Sequence, residues 1–483
     1  GTLFPYTTLF RSGDDHAMCH CQDYLTADGP DDDDDMDVNA HPMRPCSGTY
    51  GLRPAGEDGT VWRVTLTAPD GYIVTSPNPV YHEVGKDTGP VDFGLAPVSG
   101  TRELEGMLHG AAYTILVPED WNGVLLLYAH GYTVEPVTDP EAAFLGDEAE
   151  TRLLNEGYAL AASGYRGTGW NVEEGLQDTK RLLSFFESQV GNPKHVILYG
   201  VSMGGTVALK SVEEYPNLYS AAVPLSISSV KTMDQEFDYA LAYDVAFGWS
   251  ESWGTVNDVR NDIEFYSDVW FAKVYEEVFT PNGGFNQANY PKWEFIRRVS
   301  GVPEGGYYSY TGPIDVPPAV VAKIYFMTQQ RAQLEARAGG PIAQNFGRVY
   351  SLSEEDRVFL ESLTPSIPVE AWLAEMNTRT DYRANPSARN YIKEYADFSG
   401  KIQVPVLMVH NIEDSIDSAA NTIAYLEKVQ AEGNENLLMR IYSERPGHCN
   451  FTIPQMLKIF DATVGWLETA TPPGSESFPA SLD

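Results

Sequence analysis

Hydrophobic and polar positions follow two rhythms along this chain, and the change between them marks its organisation. Stretches such as VWRVTL and GYIVTSPNPVYHEV alternate over a few residues and are broken by Pro and Gly. They predict short strands in a β-rich N-terminal extension over 59–107. From Leu108 the rhythm changes. AAYTILVP and GVLLLYAHGY read as consecutive strands, the second apolar throughout and so buried on both faces, as in a parallel sheet. Helical and strand-like stretches then alternate through TRLLNEG, YALAASGY, LQDTKRLLSFFESQV, HVILYG, GTVALKSVEEY and AAVPLSIS. That alternation predicts an α/β fold with a doubly wound, mostly parallel sheet.

Over 230–399 the rhythm breaks into aromatic-rich helical patterns, including VVAKIYFMTQQRAQLEAR, SEEDRVFLESL and ARNYIKEYADF. Ser353-Glu354-Glu355-Asp356 has the form of a helix N-cap. IQVPVLMVH restores a buried strand, followed by NTIAYLEKVQAEG, LLMRIYS and MLKIFDATVGWLET as helix, strand and closing helix. The core is therefore predicted over 108–229 and 400–470, with a mainly helical cap over 230–399. An insertion emerging at the C-terminal ends of the strands covers the ligand crevice. The cap's Tyr307, Tyr308, Tyr310, Phe326 and Trp372 either line an acyl or aryl pocket or form the cap's own core, the commoner fate of aromatics at helical spacing. The tail 471–483, TPPGSESFPASLD, reads as disordered.

The candidate chemistry centres on Gly200-Val201-Ser202-Met203-Gly204, a G-x-S-x-G sequence between a buried strand and a helix. Gly200 and Gly204 permit a sharp turn, and a helix N-terminus at Ser202 favours developing negative charge. A nucleophilic serine needs a base. His16, His20 and His41 fall in the leader, His82 and His109 in or beside the β extension, and His195 at the far end of the strand that reaches Ser202. His130 and His410 end strands. His448, in Arg445-Pro446-Gly447-His448-Cys449-Asn450, lies on a loop able to reach over the sheet and is the best base. Of the acids in HNIEDSID, Asp414 is favoured by position as the carboxylate that orients it. Asp417 comes second, and Glu413 is also near. Solvated loop charges or a helix cap are the plainer reading of all three. An oxyanion hole needs two backbone N–H groups. Met203, after the serine, and Tyr132, after Gly131 in the His130-Gly131-Tyr132 loop, are the candidates, with Gly131 allowing close approach.

HGY at 130–132, GVSMGG at 200–205, HNIED at 410–414 and GHC at 447–449 stand in the order oxyanion loop, serine, acid, histidine. In this the chain resembles the α/β-hydrolase superfamily, over roughly 108–229 and 400–470. The resemblance implies Ser202 as nucleophile, His448 as general base and then acid, Asp414 as third member, and an acyl-enzyme mechanism. One departure is His410-Asn411, where the superfamily usually has His-Gly. Cys449 is similar to half of a tannase and feruloyl esterase motif, whose partner cysteine precedes the serine; Val201 stands there instead. The function expected is a serine carboxylic ester hydrolase acting on small or aryl esters. The alternatives are a serine peptidase or aminopeptidase of the same fold, and an inactive hydrolase-fold binding module.

Composition narrows the partners. The 483 residues carry 32 Lys+Arg against 68 Asp+Glu, a net charge of −36. Such a surface repels nucleic acid and anionic membranes, and no apolar run reaches membrane-spanning length; the partner the resemblance implies is a small-molecule ester. Serine-carboxylate chemistry calls for no cofactor. The four cysteines are Cys19, Cys21, Cys46 and Cys449. Cys19-His20-Cys21 lacks zinc spacing, so no metal is expected, and an N-terminal disulfide is expected if the protein is exported. Residues 1–12, with TLFPYTTLFRS, resemble a translated short-read sequencing adapter, which implies a sequence assembled from metagenomic reads; residues 13–58, with an aspartate run, read as a disordered acidic leader. The acidity suits an extracellular or periplasmic setting. Oligomeric state is not legible in the sequence.

Overall fold

The computed structural model describes residues 100–249, 277, 286–303, 330–474, 477, 478 and 482, together with the backbone of seven short strands between residues 10 and 97. The chain divides into Gly1–Thr101 and Arg102–Asp483. In the first unit, strand Val61–Leu66 pairs antiparallel with Val80–Glu83 and with Leu25–Asp28. Tyr72–Val74 pairs with Leu95–Pro97, and Phe10–Arg11 with Tyr50–Gly51. Strand pairing thus reaches back into the stretch read as a disordered leader. LTAD is too short to show a period of its own, and its partner lies some forty residues away (Leu25 opposite Leu66). Cys19, Cys21 and Cys46 lie outside the described residues, as do Tyr307, Tyr308, Tyr310 and Phe326.

The second unit is built on an eight-stranded sheet: β1 Thr101–Leu108, β2 Ala111–Pro118, β3 Val124–Ala129, β4 Ala159–Ser163, β5 His195–Val201, β6 Ala221–Leu225, β7 Val406–Asn411 and β8 Leu438–Ser443. Their order is β8-β7-β6-β5-β3-β4-β2-β1. β2 runs antiparallel to β4, and the strands from β4 through β3 to β8 pair in parallel. β1 belongs to this sheet, not to the β extension in which its polar sequence TRELEG placed it; as an edge strand it is mostly exposed and lacks the apolar signature of its neighbours.

β3 shows how the layers form. Leu125 and Leu127 join the core under α2 (Val172–Gln189) and α3 (Met203–Glu214), with Leu182, Phe186 and Val207. Leu126 and Tyr128 point the other way, into the core with α1 (Gly146–Asn155) and the C-terminal helix Ile453–Thr469, through Leu153, Ile459 and Phe460. A period of two on a strand covered on both faces makes every position apolar. Phe478 and Leu482 are buried in this second face, and the Leu482 N–H donates to Tyr442 O (2.9 Å). Isolated apolar side chains among Pro, Gly and Ser carry no period, but these two each find a place on the core.

The insertion has its own core, built by α4 (Val230–Phe247), α5 (Tyr290–Ser300), α7 (Glu354–Ser362) and α8 (Val369–Thr378) around Phe237, Trp293, Phe295 and Met376. Trp372 stacks edge-on against Phe295 within it, with centroids 5.0 Å apart. The Ser353 side chain accepts from Asp356 N–H (3.0 Å) and starts α7 where the N-cap sequence predicts. By contrast, α6 (Arg331–Ala338) and α9 (Pro386–Ala396) send Leu334, Ala388 and Ile392 into the main core beside α2, so the inserted stretch is not one separate body.

Asp238 of α4 is buried in the insertion, accepting from Tyr350 Oη–H (2.6 Å) and paired with Arg348 (2.5 Å). Burial outweighs the Arg348 charge and the Tyr350 bond and pushes its carboxyl up from 3.8 to about 7. Between those values the folded state holds a proton that the unfolded chain has lost, so this group's contribution to stability falls as pH rises from about 4 to about 7. Asp238→Asn removes the titration. The stability of the variant relative to wild type, read from urea unfolding, is expected to climb across that window and level off above it; a difference independent of pH would show that Asp238 does not titrate there.

Candidate active site

Ser202 stands between β5 and α3 with φ 56° and ψ −125°, a strained conformation for a residue with a side chain. The strain is held by the sheet: Ser202 N–H donates to Leu225 O on β6 (2.9 Å). The flanking glycines are steric necessities. A Cβ on Gly200 would lie 2.3 Å from Gly204 O, and one on Gly204 would lie 2.0 Å from Ala129 O at the end of β3. The turn therefore packs directly on the neighbouring strand, and the serine is lifted above the C-terminal edge of the sheet.

The loop after β3 runs alongside it. A Cβ on Gly131 would sit 3.5 Å from Ser202 Cβ and 3.4 Å from Val201 O, at van der Waals contact, so this backbone runs directly against the serine turn. Met203 is fully buried at the first position of α3. Tyr132 is half-buried, and its hydroxyl donates to Gln333 Oε1 on α6, tying the loop to the inserted segment. His130 is stacked on Tyr165 with centroids 4.0 Å apart, and its Nδ1–H donates to Gly131 O (2.7 Å). Burial lowers its pKa, which suits a neutral ring that shapes the loop.

Asp414 and His448 meet on the loops after β7 and β8. Asp414 is fully buried; its Oδ1 accepts from Ile416 N–H (3.0 Å) and Asp417 N–H (2.9 Å), and its Oδ2 accepts from His448 Nδ1–H (2.7 Å). Burial alone would raise the carboxyl, but His448, His410 and the Asp417 N–H outweigh it and hold it below the ordinary value. Burial alone would lower His448; Asp414, with Cys449, overrides it and holds the imidazole well above 6.5. The two shifts have opposite signs, as a carboxylate–imidazolium pair requires. His448 Nε2 makes no hydrogen bond among the described residues, so the Ser202–His448 bond is open here. Bonds of this kind are commonly long before substrate binds.

Asn411, the departure from His-Gly, explains how the histidine loop is fixed. It is fully buried at the end of β7, donates from Nδ2 to Arg445 O (3.0 Å) and Asn450 O (3.1 Å), and accepts from Asn450 N–H (3.2 Å) at Oδ1. One side chain thus clamps both ends of the loop that carries His448. Two neighbours were not singled out as partners by the sequence, Gln333 on Tyr132 and Asn411 on the loop; Asp417, the second choice of carboxylate, has its Oδ2 3.8 Å from His448 Nε2. Among the described residues no group of three or more His, Cys, Asp or Glu is arranged to hold a metal ion, and no helix is long and apolar enough to cross a membrane.

A mostly parallel sheet in this order, with the serine turn after its fifth strand and the acid and histidine on the loops after its seventh and eighth, is the architecture of the α/β-hydrolases. The chain is similar to the o-phthalyl amidase of Xanthobacter agilis, at 22% identity over 429 residues that span 78% of this chain and 90% of that protein. Among solved structures it is similar to feruloyl esterase B from Aspergillus oryzae, with a TM-score of 0.40 and 14% identity over 84% of this chain and 89% of that one. It is also similar to the acylaminoacyl peptidase of Pyrococcus horikoshii, with a TM-score of 0.37 and 8% identity over 86% of this chain and 48% of that one. No protein-family profile matches the chain.

Proposed function

We propose that this protein is a serine hydrolase that cleaves small carboxylic esters through an acyl-enzyme on Ser202. The observation that carries the reading is the buried Asp414–His448 pair (2.7 Å), on the loops at the sheet edge where Ser202 stands strained at the head of α3. Ser202 Oγ attacks the carbonyl carbon while His448 Nε2 takes its proton. Asp414 holds Nδ1–H and stabilises the imidazolium. Met203 and Tyr132 N–H groups receive the oxyanion, and Gly131 lets the second of them approach. Collapse of the tetrahedral adduct expels the leaving group, which takes the proton from His448. Water, deprotonated by the same ring, then releases the acid and restores Ser202.

Amide hydrolysis is the second reading, favoured by the similarity to an o-phthalyl amidase. The chemistry is the same, but the leaving amine must be protonated, which asks more of His448 as acid. The full chain is to be assayed with p-nitrophenyl butyrate and with an o-phthalyl monoamide of a simple amine. The ester reading expects turnover of the ester with kcat/KM at least about a hundredfold above the amide. The reverse ratio moves the reading to an amidase. Folded protein silent on both, and on peptide amides, leaves a binding module on a hydrolase fold.

A further inference from the structure

We propose that Asp417 is a second carboxylate partner of His448, pairing with the protonated ring on its Nε2 side between turnovers, so that the ring must first give up its Nε2 proton to solvent and part from Asp417 before it can take the proton of Ser202. This rests on the reading of His448 as the base. Asp417 is 1% exposed. Its Oδ1 accepts from Thr232 Oγ1–H (2.8 Å), and its Oδ2 accepts from Ser228 Oγ–H (2.6 Å) and lies 3.8 Å from His448 Nε2. Its carbonyl accepts from His410 Nε2–H (2.7 Å). No Lys or Arg pairs with it among the described residues. A buried carboxylate held by neutral hydroxyls alone is costly, and the group of opposite charge within reach is the imidazolium of His448.

The carboxylate is the fixed member of this pair. Thr232 and Ser228 sit at the start of α4; Asn421 Nδ2 donates to Thr232 Oγ1 (2.9 Å), and Ser229 Oγ–H donates to Asn421 Oδ1 (2.8 Å). The ring is carried between Gly447 and Cys449, both at positive φ. The titratable groups that face it are Asp414 at Nδ1, Asp417 at Nε2 and Cys449 beside it, with His410 behind Asp414 (3.6 Å). Burial opposes protonation of the ring, and Asp414 and Cys449 favour it; a carboxylate 3.8 Å from Nε2 favours the charged ring by the same Coulomb attraction, so removing it eases loss of the proton.

The test is the titration midpoint of the His448 imidazole, followed by NMR in the full chain with labelled histidine and assigned by His448→Gln. Asp417→Asn is expected to lower it by about 1–3 pH units and to move the acid limb of kcat/KM down with it. Ser202→Ala is expected to leave it in place. Should Asp417→Asn fail to fold, Ser228→Ala carries the test: it keeps the carboxylate and removes the donor that competes for Oδ2, so the midpoint holds or rises. An unmoved midpoint in Asp417→Asn, or a fall in Ser228→Ala, overturns the proposal. The titration needs no turnover, so a protein silent on every substrate would sink the hydrolase reading and leave this measurement standing.

Discussion

Replacing Ser202 with alanine is expected to lower kcat on the preferred substrate by on the order of 10⁴–10⁶ while the thermal unfolding transition stays where it is. The second half of that expectation follows from how the turn is held. Its strain is carried by backbone bonds, Ser202 N–H to Leu225 O (2.9 Å) and Thr206 N–H to Ser202 O (3.2 Å), and both survive the loss of Oγ. Alanine has the same Cβ, so it meets the same positive φ without new contacts. The first half follows from the proposed mechanism: without Oγ no acyl-enzyme can form, and what would remain is binding plus the proposed oxyanion donors. Stopped-flow assays with a chromogenic ester read the burst and the steady state together. Wild-type rates in the variant would mean that Ser202 is only a serine in a strained turn.

Asp414→Asn is expected to cost on the order of 10⁴ in kcat, and the hydrogen bonds give the reason. Oδ1 of Asp414 accepts two backbone N–H groups, from Ile416 and Asp417. An amide placed there must keep its oxygen on that side. Its NH₂ then occupies the position of Oδ2 and points at His448 Nδ1. The ring must turn Nδ1 into an acceptor and carry its proton on Nε2, where it can no longer take one from Ser202. The fold is preserved, because the shape and the two backbone bonds are preserved. Asp417→Asn makes the contrast: Asp414 still orients Nδ1, so kcat at high pH is expected to fall less than about tenfold. Comparable losses in the two variants, measured at saturating substrate above the acid limb, would show that the sequence position of Asp414 had been given too much weight over Asp417.

Much of this molecule was legible in the chain. Strands buried on both faces announce themselves, because a sheet covered by helices needs an apolar residue at every position, as in LLLY at 125–128. Gly200 and Gly204 were legible for a similar reason: local geometry at a sharp turn admits no side chain, and the structure shows backbone oxygens where their Cβ atoms would be. Elements with one partner each were harder. β1 is an exposed edge strand, Leu25–Asp28 needs a strand far along the chain, and Phe478 and Leu482 are single residues seated on a finished core.

The sequence by itself determined the α/β rhythm, the serine turn and the order of serine, acid and histidine, because each rests on local periodicity or on neighbours within a few residues. It left Asp414 and Asp417 as rivals, since both follow the same strand within one turn. Only the tertiary structure set them on opposite nitrogens of one imidazole, Nδ1 against Asp414 at 2.7 Å and Nε2 facing Asp417 at 3.8 Å. It also turned Asn411 from a departure into the clamp of the histidine loop. Those assignments depend on where three loops from distant parts of the chain converge at the sheet edge, and no local pattern encodes a distance between them.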